Sequence, residues 1–499
     1  ELSVSSDEKM KNIVATIQRD QNKIIRNQSA QTLIIQGVAG SGKTSIALHR
    51  IAFLLYKFKT SLKSEDILII SPNKVFSDYI SNVLPELGET QIPQTGMEEL
   101  AVEILGDKIK FQTLQEQINN LLENEDQKLI SRIRIKTISD FIEELDNFVA
   151  YVERRYFIPN DIIIDGITIS SSIILNKYQS YHRIPVLKRF LEISLSLSDY
   201  VRIKHRKELK KPQIKKTETE IKKMFKTTNI KDIYKDFYDW LEMPEYLKLL
   251  PKSVYEYSDV FPLVYLKIKL EGAKNNSKVK HLLVDEMQDY NPIQYTVLSL
   301  LFSCQKTILG DENQSVNPFS LTTAFHIKKI FEDATIMQLN KSYRSTFQIT
   351  EFAQKINPSK SLEAVNRQGE NPEIIECETS DEEIIQVVRL IENFRNSEHN
   401  SLGIICKTQS QAEELFSIIE KKGHKAYLLN YQSTAFYKGI IVTSAFMAKG
   451  LEFDQVIVPF VNRTNYKKDI EKSLLYIACT RAMHKLDITY SGDICEFLT

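Results

Sequence analysis

Residues 33–56 read LIIQGVAGSGKTSIALHRIAFLLY. The run opens on Leu33-Ile34-Ile35, an apolar triplet of the kind buried in a parallel sheet. Gly37-Val38-Ala39-Gly40-Ser41-Gly42-Lys43-Thr44 follows, and then Ile46, Ala47, Ile51, Ala52, Leu54 and Leu55 recur at helical spacing. Strand, G-x-x-x-x-G-K-[ST] and helix together make a P-loop. Glycines let backbone N–H groups converge on phosphate oxygens, and the helix turns its positive end toward the same anion. Lys43 is expected to reach the β- and γ-phosphates, and the Thr44 hydroxyl to hold Mg²⁺. A glycine-rich turn before a core helix would need neither the Lys-Thr pair nor the spacing.

Working outward, residues Asp7 to Asn27 have helical periodicity and carry Gln18 and Gln21 just ahead of this strand. A glutamine amide can donate to and accept from an adenine edge at once, although surface glutamines are usually only solvated. Asp66-Ile67-Leu68-Ile69-Ile70 reads as a second buried strand, with Asn73 and Lys74 in the turn after it and a helix through Tyr79, Ile80, Val83 and Leu84. His281-Leu282-Leu283-Val284 is another, delivering Asp285-Glu286-Met287-Gln288-Asp289. Two acids closing an apolar strand downstream of a P-loop fit a nucleotide site: Asp285 to complete the Mg²⁺ shell, Glu286 to polarise water. Thr307-Ile308-Leu309 runs into Gly310-Asp311-Glu312-Asn313-Gln314, where Gln314 can sense the γ-phosphate or the water, although the segment taken alone reads as a loop with an ordinary glutamine.

A second α/β unit follows. Leu402–Cys406, Ile440–Thr443 and Val456–Val458 read as strands. Arg344, in Lys341-Ser342-Tyr343-Arg344-Ser345-Thr346, and Arg481, closing Leu474–Thr480, are candidates to cross a cleft to the γ-phosphate. The stretch from Gly106 to Tyr255 differs in character. It reads as mostly helical, with a short hairpin over Ile162–Ile169. It carries a basic run from Arg202 to Lys226 and an acidic, aromatic segment from Tyr234 to Trp240. The basic run fits either a solvated helix face or a contact for nucleic acid or a nucleoprotein partner.

The bulk numbers set bounds. A chain of 499 residues is too long for one core. Lys plus Arg equals Asp plus Glu at 65 each, so any nucleic-acid surface must be local rather than global. The five cysteines form no C-x-x-C pair, which argues against a zinc site or a disulfide framework. No apolar run reaches membrane-spanning length and no signal peptide opens the chain, so a cytoplasmic protein with no membrane partner is expected; a monomer is the separate default expectation.

In identity and order these motifs resemble superfamily 1 helicases of the UvrD, Rep and PcrA type: the glutamine helix, GVAGSGKT, VDEMQD, LGDENQS, KSYRST, TSAFMAKGLEFD and LLYIACTRA. ATIQRDQNKIIR, ALHRIAFLLY, LNKSYRST and MAKGLEFD look closer still to the HelD family of helicase-like factors that bind bacterial RNA polymerase. The resemblance implies an α/β fold of two RecA-like P-loop NTPase domains with a mostly helical insertion in the first. It places the first domain at 1–105 and 259–340, the insertion at 106–258 and the second domain at 341–499. It implies ATP and Mg²⁺ as cofactors. Gln21, with Gln18, would contact adenine. Gly37, Val38, Ala39, Gly40, Ser41, Gly42, Lys43, Thr44 and Ser45 would line the nucleotide. Asp285 would bind Mg²⁺, Glu286 would act as base, Gln314 would couple hydrolysis to movement and Tyr343 would stack on the base. Arg344 and Arg481 would hold the γ-phosphate, and Glu452 would approach the ribose.

Departures from the UvrD pattern point away from ordinary unwinding. Ser45 stands where those helicases carry an adenine-stacking arginine. Asn317 and Phe319 replace a tyrosine and a DNA-stacking tryptophan, and Gln94-Thr95-Gly96-Met97 replaces a DNA-gripping TFH motif. Lost base stacking costs about 1–3 kcal/mol per base. The stretch between Thr346 and Lys449 is also too short for the large 2B insertion. The resemblance therefore implies an ATPase that binds RNA polymerase and releases it from stalled or post-termination complexes, with DNA or RNA contacts through Arg202–Lys226. A single-stranded-DNA helicase or translocase in repair is the alternative, and a nucleotide-binding scaffold without turnover a third. HelD-type proteins carry an N-terminal coiled-coil arm, which the stretch before Asp7 is too short to supply. The opening Glu1 fits either a piece of a longer protein or a member without the arm.

Overall fold

The computed structural model describes residues 19–72, 92–124, 126–273, 276–315, 322–358, 362–364, 367–430, 433 and 439–499. Gln18, Asn73, Lys74, the helix expected through Tyr79–Leu84, Asn317 and Phe319 lie outside the described residues. The chain falls into two compact units: Glu1–Met97 with Ser277–Tyr290 and Cys304–Thr499, and Glu98–Asn276 with Asn291–Ser303.

The larger unit is a mixed α/β structure with two six-stranded parallel sheets. The first runs, in spatial order, Ala334–Leu339, Thr32–Gly37, Gln305–Gly310, His281–Val284, Ile67–Ile70 and Gln94–Thr95. Its inner strands are apolar along their length because helices cover both faces of such a sheet; Leu33, Ile34 and Ile35 are fully buried. The strand Thr32–Gly37 is flanked by two strands that come much later in the chain, Ala334–Leu339 and Gln305–Gly310. All these strands are parallel, so Gly37, Ile70, Val284, Gly310 and Leu339 end on one edge of the sheet. Loops at that edge are where ligands gather in open α/β sheets. Helix Lys43–Lys57 returns from the edge and packs Ile46, Ala47, Ile51 and Leu55 into the same core as Leu33 and Ile35.

The second sheet runs Glu373–Cys377, Ala482–Ser491, Phe453–Val458, Ser401–Cys406, Gly439–Ser444 and Tyr427–Leu428, also parallel throughout. Helices Ser380–Arg395 and Gln409–Lys421 bury Val387, Leu390, Leu415 and Ile419 against Leu402, Ile404 and Val442.

The smaller unit is mostly helical. Helix Tyr257–Glu271 is buried almost along its length and packs on helices Gln127–Thr137, Ser139–Arg155, Ile230–Trp240 and Pro292–Leu301. The acidic, aromatic segment supplies core: Tyr234, Phe237 and Tyr238 are buried, and both tyrosine hydroxyls donate to Asp259, at 2.6 and 3.1 Å. The hairpin forms as expected, Ile162–Ile164 pairing antiparallel with Ile167–Ile169 around Asp165-Gly166, both at positive φ. Every cation of the basic run is exposed; Arg202, Lys207, Lys223 and Lys226 pair with Asp199, Asp165, Glu220 and Asp236. Among the described residues no helix is long and apolar enough to cross a membrane.

Candidate nucleotide site

The loop after Thr32–Gly37 turns on Gly40 and Gly42, at φ 73° and 77°. A Cβ on Gly40 would stand 2.6 Å from Ser342 Oγ and 2.8 Å from Arg344 Cβ, so only glycine admits the segment that crosses it. Tyr343 N donates to Gly40 O at 2.8 Å and fixes that crossing. Lys43 opens the helix, and its Nζ donates to Gly37 O at 2.8 Å and Val38 O at 3.0 Å. Desolvation pulls the Lys43 pKa down and Arg344 adds to this, while Asp311, Glu286 and Asp285 oppose it. The Ser41 hydroxyl is buried with no hydrogen-bond partner, and Val38 and Ala39 are buried beside it, while Thr44 and Ser45 are half-buried. Gln21, on helix Arg19–Ile25, is buried with its amide nitrogen 3.9 Å from where a Cβ on Gly42 would sit. That helix is held by Arg50, a buried residue of the P-loop helix that sequence reasoning missed. Its guanidinium donates to Ile24 O (3.0 Å), Ile25 O (3.2 Å) and Asn27 O, and to Thr307 Oγ1 (3.0 Å).

The acidic turn follows His281–Val284. Glu286 sits at φ 52°, ψ 50°, a left-handed conformation that a glutamate adopts only when its surroundings dictate it. Its N–H donates to Asp285 Oδ1 at 2.9 Å. Gln288 bridges outward: Nε2 donates to Glu286 Oε2 at 2.7 Å, and Oε1 accepts from Asp311 N at 2.9 Å. Burial and the neighbouring Glu286 raise the Asp285 carboxyl to about 8. Burial acts on Glu286 in the same sense, but Lys449 and Lys43 outweigh it and hold that carboxyl below its usual range.

From the second sheet's side, Arg481 lies buried between helix Asp469–Cys479 and strand Ala482–Ser491. Its Nη2 donates to Gln314 Oε1 at 2.6 Å, and Gln314 Nε2 donates to Asp311 Oδ2 at 2.8 Å. Burial and Arg344 draw the Arg481 pKa down to about 10. Arg344 pairs with Glu452 at 2.6 Å. Lys43, Asp285, Glu286, Gln314, Arg344 and Arg481 thus come together, while Tyr343 lies half-buried on the segment across Gly40. Ser342, Gln288, Asp289, Asp311 and Lys449 belong to the same cluster. All lie inside quoted motifs, but their spacing gave no reason to single them out.

The arrangement suits a nucleoside triphosphate. The glycine cradle admits no side chain, the orphaned Ser41 hydroxyl needs a partner, and lysine, arginines and carboxylates are gathered at one helix start. Among the described residues no group of three His, Cys, Asp or Glu side chains is preassembled for a metal. Magnesium needs few protein ligands when phosphate oxygens and water complete its shell, and Asp285 with Thr44 would supply them.

Residues 17–335 match the UvrD/REP helicase N-terminal domain family. Over 408 residues the chain is 23% identical to a probable DNA helicase II homolog of Rickettsia conorii, covering 78% of this chain and 53% of that protein. Over 413 residues it is 22% identical to the ATP-dependent DNA helicase Rep of Buchnera aphidicola, covering 79% and 52%. The chain spans about half the length of these curated relatives. A solved C-terminal domain of a possible DNA helicase from Lactobacillus plantarum is 34% identical, with 32% of this chain and 92% of that one covered at a TM-score of 0.27.

Proposed function

The chain belongs to the UvrD/REP helicase family, and from that membership we propose that it is an ATP-hydrolysing motor that works on single-stranded DNA. The observation that carries this reading is the convergence of Lys43, Glu286, Gln314 and Arg481 at the strand ends of two parallel sheets. Lys43, the P-loop amides and the start of helix Lys43–Lys57 bind the phosphates. Thr44 and Asp285 hold magnesium, which when bound offsets charge on the phosphate oxygens. Glu286 accepts a proton from the attacking water. Arg344 and Arg481 counter the charge that develops on the γ-phosphoryl group. Gln314, bonded to Arg481, carries the state of the phosphate from one sheet to the other. Gln21 meets the base edge, Tyr343 stacks on the base, and Glu452 exchanges Arg344 for the ribose as the nucleotide enters. The two sheets correspond to two RecA-like domains and the helical unit to an insertion in the first.

A HelD-type reading, in which the chain binds bacterial RNA polymerase and frees it from stalled complexes, draws on different observations. Ser45 occupies the adenine-stacking position, Gln94–Met97 lacks the DNA-gripping motif, and the cations of Arg202–Lys226 are all exposed. One experiment separates the two. ATP turnover is measured for the chain alone, with single-stranded DNA and with RNA polymerase. Strong stimulation by single-stranded DNA supports the motor. Stimulation by polymerase alone, lost on removal of 106–255, supports the second reading. No turnover in any arm sinks both.

A further inference from the structure

The loop between strands Gly439–Ser444 and Phe453–Val458 touches the acidic turn and both arginines of the site. Leu451 O accepts from Arg481 Nη1 at 3.4 Å, and Glu452 pairs with Arg344. Lys449 reaches furthest. Its Nζ donates to Asp289 Oδ1 and Oδ2 at 2.7 and 2.6 Å and stands 3.8 Å from Glu286 Oε2. Both partners are buried, Lys449 at 5% and Asp289 at 3% exposure. Gly450, at φ 81°, lets the chain turn back immediately after the lysine.

Asp289 closes the turn that Glu286 opens: Asp289 N donates to Glu286 O at 2.9 Å. A cation clamped on Asp289 therefore fixes the far end of a turn whose near end is strained. From 3.8 Å the same cation draws the Glu286 carboxylate to the side on which Gln288 already donates to Oε2. Half-buried Glu286 and buried Asp289 stand 3.8 and 2.6 Å from this ammonium and would repel each other without it. We propose that Lys449 is a positioning residue for Glu286: by clamping Asp289 it makes the aim of the Glu286 carboxylate depend on the seating of the second sheet's loop. The inference rests on the ATP-hydrolysing reading, with Glu286 as the group that activates water.

The test is steady-state ATP turnover of the full chain, paired with affinity for a fluorescent ATP analogue and a thermal melt. Lys449→Met keeps the stem and removes the charge; Asp289→Asn probes the pair from the other side; Lys449→Arg restores a cation. Loss of aim is expected to lower kcat by about 10- to 100-fold in the first two variants, with analogue affinity little changed. Arginine should recover most of the loss. The Lys449→Met/Asp289→Asn double variant should be no slower than the worse single variant, because one contact is removed twice. A merely structural pair would lower the melting temperature and leave kcat and affinity of the folded protein at wild-type values, which overturns the proposal. Glu286→Gln is the reference: if it abolishes turnover while Lys449→Met and Asp289→Asn retain it, the positioning role fails alone. If the wild-type chain hydrolyses no ATP, the ATPase reading fails with it.

Discussion

Arg481 donates through Nη2 to Gln314 Oε1 at 2.6 Å. The guanidinium enters from the second sheet, and the amide stands on the turn that ends a strand of the first. Both are buried, so the bond is shielded from water and senses any shift between its ends. Replacing Arg481 by Ala is expected to cut ATP turnover by about 10³-fold or more, as for an arginine that meets the γ-phosphoryl charge. Gln314→Ala should cost less turnover and weaken the stimulation of turnover by single-stranded DNA. Equal stimulation in wild type and Gln314→Ala would remove Gln314 from the coupling path.

Glu286→Gln keeps the shape and the hydrogen bond from Gln288 while removing the base. Turnover should fall by roughly 10²–10⁴-fold with nucleotide binding largely intact. Rapid-quench measurement of the hydrolysis step decides it, and unchanged chemistry would mean that another group takes the proton.

Arg50 ties the end of the Gln21 helix to the P-loop helix through the backbone carbonyls of Ile24, Ile25 and Asn27. Arg50→Ala should lose about 3–5 kcal/mol of stability in chemical denaturation, counting lost packing and lost hydrogen bonds. Arg50→Lys should recover little, since a single ammonium cannot serve Thr307 and these carbonyls together. Because Gln21 rides on that helix, the KM for ATP should rise in both variants; a KM unmoved in protein that still folds would detach Gln21 from the base.

His281 is buried, 3.0 Å from Thr307 Oγ1, and burial, then Arg50 and Lys306, push its pKa down to about 3. Unfolded, the same imidazole titrates near pH 6.5. Between these values the unfolded chain binds the extra proton, so this group's contribution is complete above about pH 6.5 and is lost as pH falls toward 3. The loss is about 1.4 kcal/mol per pH unit inside that window. His281→Gln keeps a partner for Thr307 and cannot charge, so its stability should depend less steeply on pH between 6 and 4, by about one proton. Parallel pH profiles for the two proteins would assign the acid sensitivity elsewhere.

The strands were legible where apolar runs end in chemistry: Leu33–Ile35 before the glycines, His281–Val284 before Asp285 and Thr307–Leu309 before Gly310 all lie in strands. Charge patterning was less informative. The basic run could be read as a solvated face or as a contact, and its exposure fits both. The segment Tyr234–Trp240 gave no sign of its use, because burial of Tyr234 and Tyr238 depends on Asp259, which stands on another helix.

The sequence by itself determined the parts of the site that are local. A glycine-rich loop between strand and helix needs only its own residues to make a phosphate cradle, and two acids at a strand end need only the apolar run before them. Tertiary structure decided the contacts that join distant segments: Ser342 and Arg344 against Gly40, Arg50 on the carbonyls of the Gln21 helix, Arg481 on Gln314 and Lys449 on Asp289. Each joins residues far apart in the chain, brought together by the parallel register that gathers strand ends on one edge and by the crossing of loops from the other sheet. No spacing along the chain encodes such a distance. A buried lysine meets a buried aspartate only once the fold has taken both out of water, where each needs the other's charge.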